Sequence, residues 1–131
     1  MLYYTESKFS GGALMTRFED LDVWKKSSRL CSEVYKSMTH LKDFGFRDQL
    51  TRACLSVPSN IAEGYERCTE KEKANFLNYA KGSAGEVRTQ IYIGMDIGYI
   101  DKETGKRWIE EVLSVSKMLQ SLINTIKKSS K

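Results

Sequence analysis

From Gln49 to Arg67 the chain carries two stripes side by side, both at the spacing of an α-helix. At about 100° per residue, Gln49, Arg52, Ala53, Ser56, Asn60, Glu63 and Arg67 share one arc. Leu50, Cys54, Val57, Ile61, Tyr65 and Cys68 share the next. A segment with this phase is a helix that buries one side and presents another. A merely solvated face rarely gathers Gln, Arg, Ser, Asn and Glu beside small residues. The polar arc therefore reads as a hydrogen-bonded network or a contact surface. Pro58, the one proline of the chain, lies inside this segment. It removes a helical hydrogen bond and crowds the carbonyl of Cys54, but both stripes keep their phase across it, so a kink rather than a break is expected.

Three further helices flank this one. The first spans about Phe18 to Thr39, with Leu21, Trp24, Ser28, Cys31, Tyr35 and Met38 as its seam and Val34 beside them. The segment from His40 to Gly45 is a turn, and the second helix spans about Phe46 to Glu66. Thr69 followed by Glu72 is a capping box that opens the third helix, which continues to about Gly98. Phe76, Leu77, Ala80, Ala84, Val87, Ile91 and Met95 share its apolar arc, and Ser83, Glu86 and Gln90 form a polar stripe beside it. Gly82 and Gly85 cost helix propensity, about 1 kcal/mol each, so a neighbouring helix is expected to pack closely there. Gly64 is expected to admit a close backbone in the same way. The fourth helix spans about Lys102 to Lys127, with Trp108, Ile109, Val112, Leu113, Ser116, Leu119, Leu122, Ile123 and Ile126 as its seam.

Short links between four amphipathic helices give an all-α fold, an antiparallel up-down-up-down four-helix bundle. It occupies residues 17–128, after a flexible N-terminal extension at 1–16 and before a C-terminal tail at 129–131. The 131 residues are 40% hydrophobic and 29% charged, ordinary for one soluble domain with its own core. The three cysteines, Cys31, Cys54 and Cys68, show no metal-ligand spacing and read as reduced core residues. No stretch reaches the roughly 18 apolar residues of a membrane span, and residues 1–14 carry no signal-peptide pattern. The expected location is cytoplasmic, with no membrane partner.

Catalysis lacks parts. His40 is the one histidine and sits in a turn. A di-metal bundle site requires two Glu-x-x-His pairs, and neither occurs. Glu63 and Glu86 as paired acids, or Ser83 as a nucleophile between glycines, remain isolated candidates without a base. The reading is a non-enzyme with no cofactor and no metal. Net charge is +4, which permits weak attraction to RNA or DNA. Arg47, Arg67, Lys71, Lys73, Lys81, Arg88, Lys127, Lys128 and Lys131 are the candidate contacts, although acidic residues interleave with them. The polar pair Arg52 and Glu86 is expected to form a buried ion pair between the second and third helices, with Gln49, Ser56, Asn60 and Gln90 satisfying the remaining groups; the rival is that Arg52 faces solvent or a neighbouring subunit and binds phosphate. The second helix also carries more apolar surface than one bundle core is expected to cover.

Three motifs occur in order: Phe18-Glu19-Asp20-Leu21-x-Val23-Trp24, Gln49-x-x-Arg52-Ala53-x-x-Ser56-x-x-x-Asn60-Ile61-Ala62-Glu63-Gly64, and Gly82-Ser83-x-x-Glu86. Together they make the chain resemble the four-helix-bundle protein family encoded in intervening sequences of bacterial 23S ribosomal RNA genes, over about Arg17 to Ile126. The resemblance implies a ring-like homopentamer and does not imply an enzyme. For most members of that family the biochemical role is undefined; the reading here is a scaffold or RNA-associated accessory protein, with Gln49, Arg52, Ser56, Asn60, Glu63, Gly82, Ser83 and Glu86 as family-matching positions. A related branch, the accessory variability proteins of diversity-generating retroelements, implies an alternative: a nucleic-acid-binding accessory of a reverse transcriptase.

Overall fold

The computed structural model describes residues 17–129. A single 3-10 turn, Phe18–Asp20, leads into four helices: α1 (Asp22–Met38), α2 (Phe44–Tyr65), α3 (Glu70–Asp96) and α4 (Lys102–Ser129). No strand occurs among the described residues. The extension at 1–16 and the end of the tail, with the candidate contact Lys131, lie outside them.

Local chemistry sets the helix ends. Asp43 Oδ1 accepts from the Phe46 N–H at 3.1 Å, so α2 starts at Phe44, two residues before the pattern suggests. The Thr69 hydroxyl accepts from the Glu72 N–H at 3.1 Å and donates to the Glu72 carboxylate. Asp101 caps α4 by accepting from the Thr104 N–H at 3.0 Å. At the end of α3, Gly98 takes a left-handed φ of 83°, and the Tyr99 N–H turns back to the Gly94 carbonyl at 2.8 Å. Pro58 is buried within an unbroken α2.

Neighbouring helices run antiparallel. Ser56 meets Ser83, while Gly64, further along α2, meets Lys73, earlier in α3. The Lys81 ammonium donates to Gln120, while Met95, later in α3, packs on Gly105 at the start of α4. Glu33 of α1 reaches Trp108 of α4, and Lys26 pairs with Glu111. Cys31 of α1 and Cys54 of α2 line one small apolar void of about 10 Å³ with Val57, Ala84, Val87 and Val112. All four helices therefore close on one core. Its fully buried large side chains include Leu50, Ile61, Leu77, Ile91, Trp108, Leu119 and Ile123.

The core departs from the sequence reading at several positions. Tyr35 and Leu113 are exposed, whereas Val23, Leu30 and Val115 are buried. Each helix buries a face wider than a two-residue seam, so its centre shifts toward the neighbours on both sides. Cys68 is exposed. α2 ends at Tyr65 before Cys68 can continue its apolar stripe. Cys31 and Cys54 are buried, and burial pushes the Cys31 thiol up to about 11 and the Cys54 thiol still higher. On α2, one core buries Leu50, Cys54, Val57 and Ile61, while Phe44 and Leu55 stay exposed. A larger exposed apolar set lies on α3, with Tyr79, Tyr92, Ile93 and Ile97.

Candidate interaction surface on the second and third helices

Two helices that touch along their length leave a shallow seam on the outside, and the residues beside that seam form one surface. In this chain the seam runs between α2 and α3. At its centre the Ser83 hydroxyl donates to Ser56 Oγ at 3.1 Å. The Asn60 amide donates to the Ser56 carbonyl at 2.8 Å and to Ser56 Oγ at 3.1 Å. All three side chains are half-buried. Small hydroxyls let the helices approach here, and Asn60 holds Ser56 from one turn away on its own helix.

One turn from this contact the charged residues part company with expectation. Arg52 lies four residues before Ser56, and Glu86 three residues after Ser83. Because the helices are antiparallel, both steps lead toward the same end of the bundle, by about 6 and 4.5 Å. Yet Arg52 and Glu86 are both exposed, and no ion pair joins them within 4.0 Å. The expected buried Arg52–Glu86 pair is therefore absent. Solvation of each head group costs nothing, whereas burying a charge requires compensation from an excellent partner. Gln49 is exposed at the same end, and Gln90 is half-buried with its Oε1 shielded and unpartnered.

The glycines also divide. A Cβ at Gly64 would lie 3.0 Å from Phe76 Cβ and 3.1 Å from the Lys73 carbonyl oxygen, so this glycine admits the start of α3 as expected. A Cβ at Gly82 or Gly85 would meet nothing within 4 Å. No neighbouring helix among the described residues packs on them, contrary to expectation, because both lie on the side of α3 away from the core residues Ala80, Ala84 and Val87.

Along the outer face, α3 thus presents Tyr79, Gly82, Glu86, Gln90, Ile93 and Ile97, spaced by three and four residues. α2 contributes Gln49, Arg52, Ser56, Asn60 and Glu63. Apolar side chains stand at the ends of the α3 stripe, an open backbone patch and polar groups between them. Sequence reasoning placed the polar members and missed Tyr79, Ile93 and Ile97. Their spacing of seven and eleven residues from Glu86, two and three helical turns, was the available signal.

As acids, Glu63 and Glu86 are far apart. They step in opposite directions from the Ser56–Ser83 contact, about 15 Å in all along the bundle. Glu63 pairs instead with Arg67 at 3.3 Å. Among the described residues no group of three or more His, Cys, Asp and Glu side chains could hold a metal ion.

Several candidate basic contacts are engaged locally. Arg47 lies 3.6 Å from Asp48 and over the Phe44 ring. Arg67 also approaches Glu72 at 3.9 Å and covers the Phe76 ring. Lys73 pairs with Glu70 at 3.5 Å over the Tyr65 ring. Lys71, Lys81, Lys127 and Lys128 are exposed, and Arg88 is half-buried. Lys127 and Lys128 end α4 at the pole of the bundle where α2 ends and α3 begins, near Arg67, Lys71 and Lys73 in height. No helix of the described residues is long and apolar enough to cross a membrane.

Residues 19–121 match the family model described as 23S rRNA-intervening sequence protein. Comparison with curated proteins found no match. Among solved structures, the chain is similar to a protein of unknown function from the S23 ribosomal protein family of Bacteroides thetaiotaomicron VPI-5482. The two share 25% identity and a TM-score of 0.73, over 77% of this chain and 97% of that one.

Proposed function

This chain belongs to the 23S rRNA-intervening sequence protein family, and from that premise we propose that it acts by self-association rather than by catalysis, as an oligomeric scaffold or RNA-associated accessory. The outer α2–α3 face carries this reading. Tyr79, Ile93 and Ile97 are each about half exposed, at 58%, 47% and 51%. Large apolar side chains gathered on one face, rather than scattered singly, mark a contact surface. The polar members of the face coincide with the motif positions Arg52, Ser56, Asn60, Ser83 and Glu86. Five copies is the stoichiometry that the family resemblance implies. Light scattering at micromolar concentration tests the reading, and a monomer mass overturns it.

A second reading is a nucleic-acid-binding accessory of a reverse transcriptase. It draws on the shared pole of Lys127, Lys128 and Lys71. Phosphate contacts release counterions, so such binding falls steeply with salt. Changing Lys127, Lys128 and Lys131 to Gln weakens it uniformly across sequences. RNA that fails to bind in low salt removes this reading and leaves the scaffold.

A further inference from the structure

We propose that the outer α2–α3 face docks on a second copy of this chain, with Arg52 of one copy opposite Glu86 of its neighbour across the open backbone at Gly82. The inference rests on the self-association reading and adds the surface and the charge pairing to it.

Three independent observations point to this occupant. Arg52 and Glu86 stand at one height on adjacent helices, exposed and without an ion pair to any described residue. Their guanidinium and carboxylate groups are free to take partners from outside. The face carries one cation, Arg52, and two carboxylates, Glu63 and Glu86, with Glu63 held by Arg67 just past the end of α2. Its charge is not net positive. A polyanion such as RNA needs a net positive surface, so this face is the wrong one for phosphate. A surface holding both signs at the same height is matched by a surface with the same pair, and a second copy carries it by construction. Whether the contact is two-fold or ring-closing, α2 of one copy then lies beside α3 of the next.

Gly82 supplies the closeness. It sits near the Tyr79 end of the exposed stripe, one turn from Tyr79 on one side and one turn from Glu86 on the other, with nothing within 4 Å of a Cβ. Tyr79 on one flank and Ile93 and Ile97 on the other offer roughly a few hundred Å² of apolar surface, the range that marks interaction sites on soluble proteins.

The test uses sedimentation velocity on the full chain and on Arg52→Glu, Glu86→Arg, the double exchange of both, and Gly82→Leu. Circular dichroism confirms that each variant is folded, which the exposure of all three positions favours. Each single charge reversal sets like charges opposite one another and weakens assembly by about tenfold or more. The double exchange restores it to within about threefold of the parent. Gly82→Leu, whose Cβ meets no atom within 4 Å in its own chain, also weakens assembly. If both single reversals and Gly82→Leu assemble like the parent, this surface assignment falls while self-association stands. If the double exchange stays dissociated although folded, the Arg52–Glu86 pairing falls. A monomeric parent overturns the inference together with the reading beneath it.

Discussion

The Trp108 indole N–H of α4 donates to Glu33 Oε2 of α1 at 2.7 Å. Trp108 is fully buried, the largest side chain of the core. Arg107 holds the same carboxylate oxygen from the solvent side. Burying an indole requires an acceptor for its one donor, and Glu33 supplies it from the neighbouring helix. The pair thereby fixes how far α4 is rotated against α1.

Glu33→Ala is expected to destabilise the fold by about 1–3 kcal/mol, because the buried Trp108 N–H loses its acceptor. Glu33→Gln keeps an amide oxygen there and costs less. In a Trp108→Phe background, Glu33→Ala adds little. Urea denaturation of the four proteins measures the cycle, and equal effects of Glu33→Ala in both backgrounds contradict the coupling.

Acid sensitivity follows from three carboxyls. The Arg107 guanidinium and then the Trp108 N–H hold Glu33 below its usual range. The Phe46 N–H and the Tyr99 hydroxyl do the same for Asp43, and the Thr104 N–H and hydroxyl for Asp101. Each folded-state pKa lies under its unfolded value, so the unfolded chain takes up protons first as pH falls. The stabilisation is present above about pH 4, the ordinary carboxylate range, and is lost on acidification through the depressed values. Denaturation midpoints from pH 7 to pH 3 should fall below that range, and less steeply in Glu33→Gln. Because Glu33 remains 40% exposed in its side chain, solvent screening keeps the individual effect modest.

The glycines of α3 and α2 should respond oppositely to one added methyl. Gly64→Ala forces Cβ against Phe76 and the Lys73 backbone and should destabilise by about 1–3 kcal/mol. Gly85→Ala meets open space in a helix and should stabilise by about 1 kcal/mol. Thermal melts of both variants decide; a destabilised Gly85→Ala would mean that this site is covered in solution.

The thiols should separate by exposure. Cys68 is exposed while Cys31 and Cys54 are buried, with burial raising both of their pKa values. The thiolate is the reactive form. A thiol reagent near neutral pH should therefore modify one cysteine rapidly in the folded chain and all three in denaturant. Rapid modification of a second thiol would show that the core around Cys31 and Cys54 opens readily.

What the sequence determined by itself was the architecture. Apolar residues at three- and four-residue spacing, the Thr69 cap and a proline that leaves the α2 stripe in phase specify four helices. Short links bring consecutive helices together as antiparallel neighbours. These are local rules, readable within a turn or two of chain. The rotation of each helix was not local. Val115 rather than Leu113 faces the core because both flanking helices compete for the face of α4. The polar stripe shows the same division. Its residue types announced a surface, and spacing placed Ser56 and Ser83 on facing arcs. Only the tertiary structure decided that those two small hydroxyls touch while Arg52 and Glu86 stay in water. At that height the side chains of both helices point outward, and a hydrated charge has nothing to gain from burial without a fitted partner.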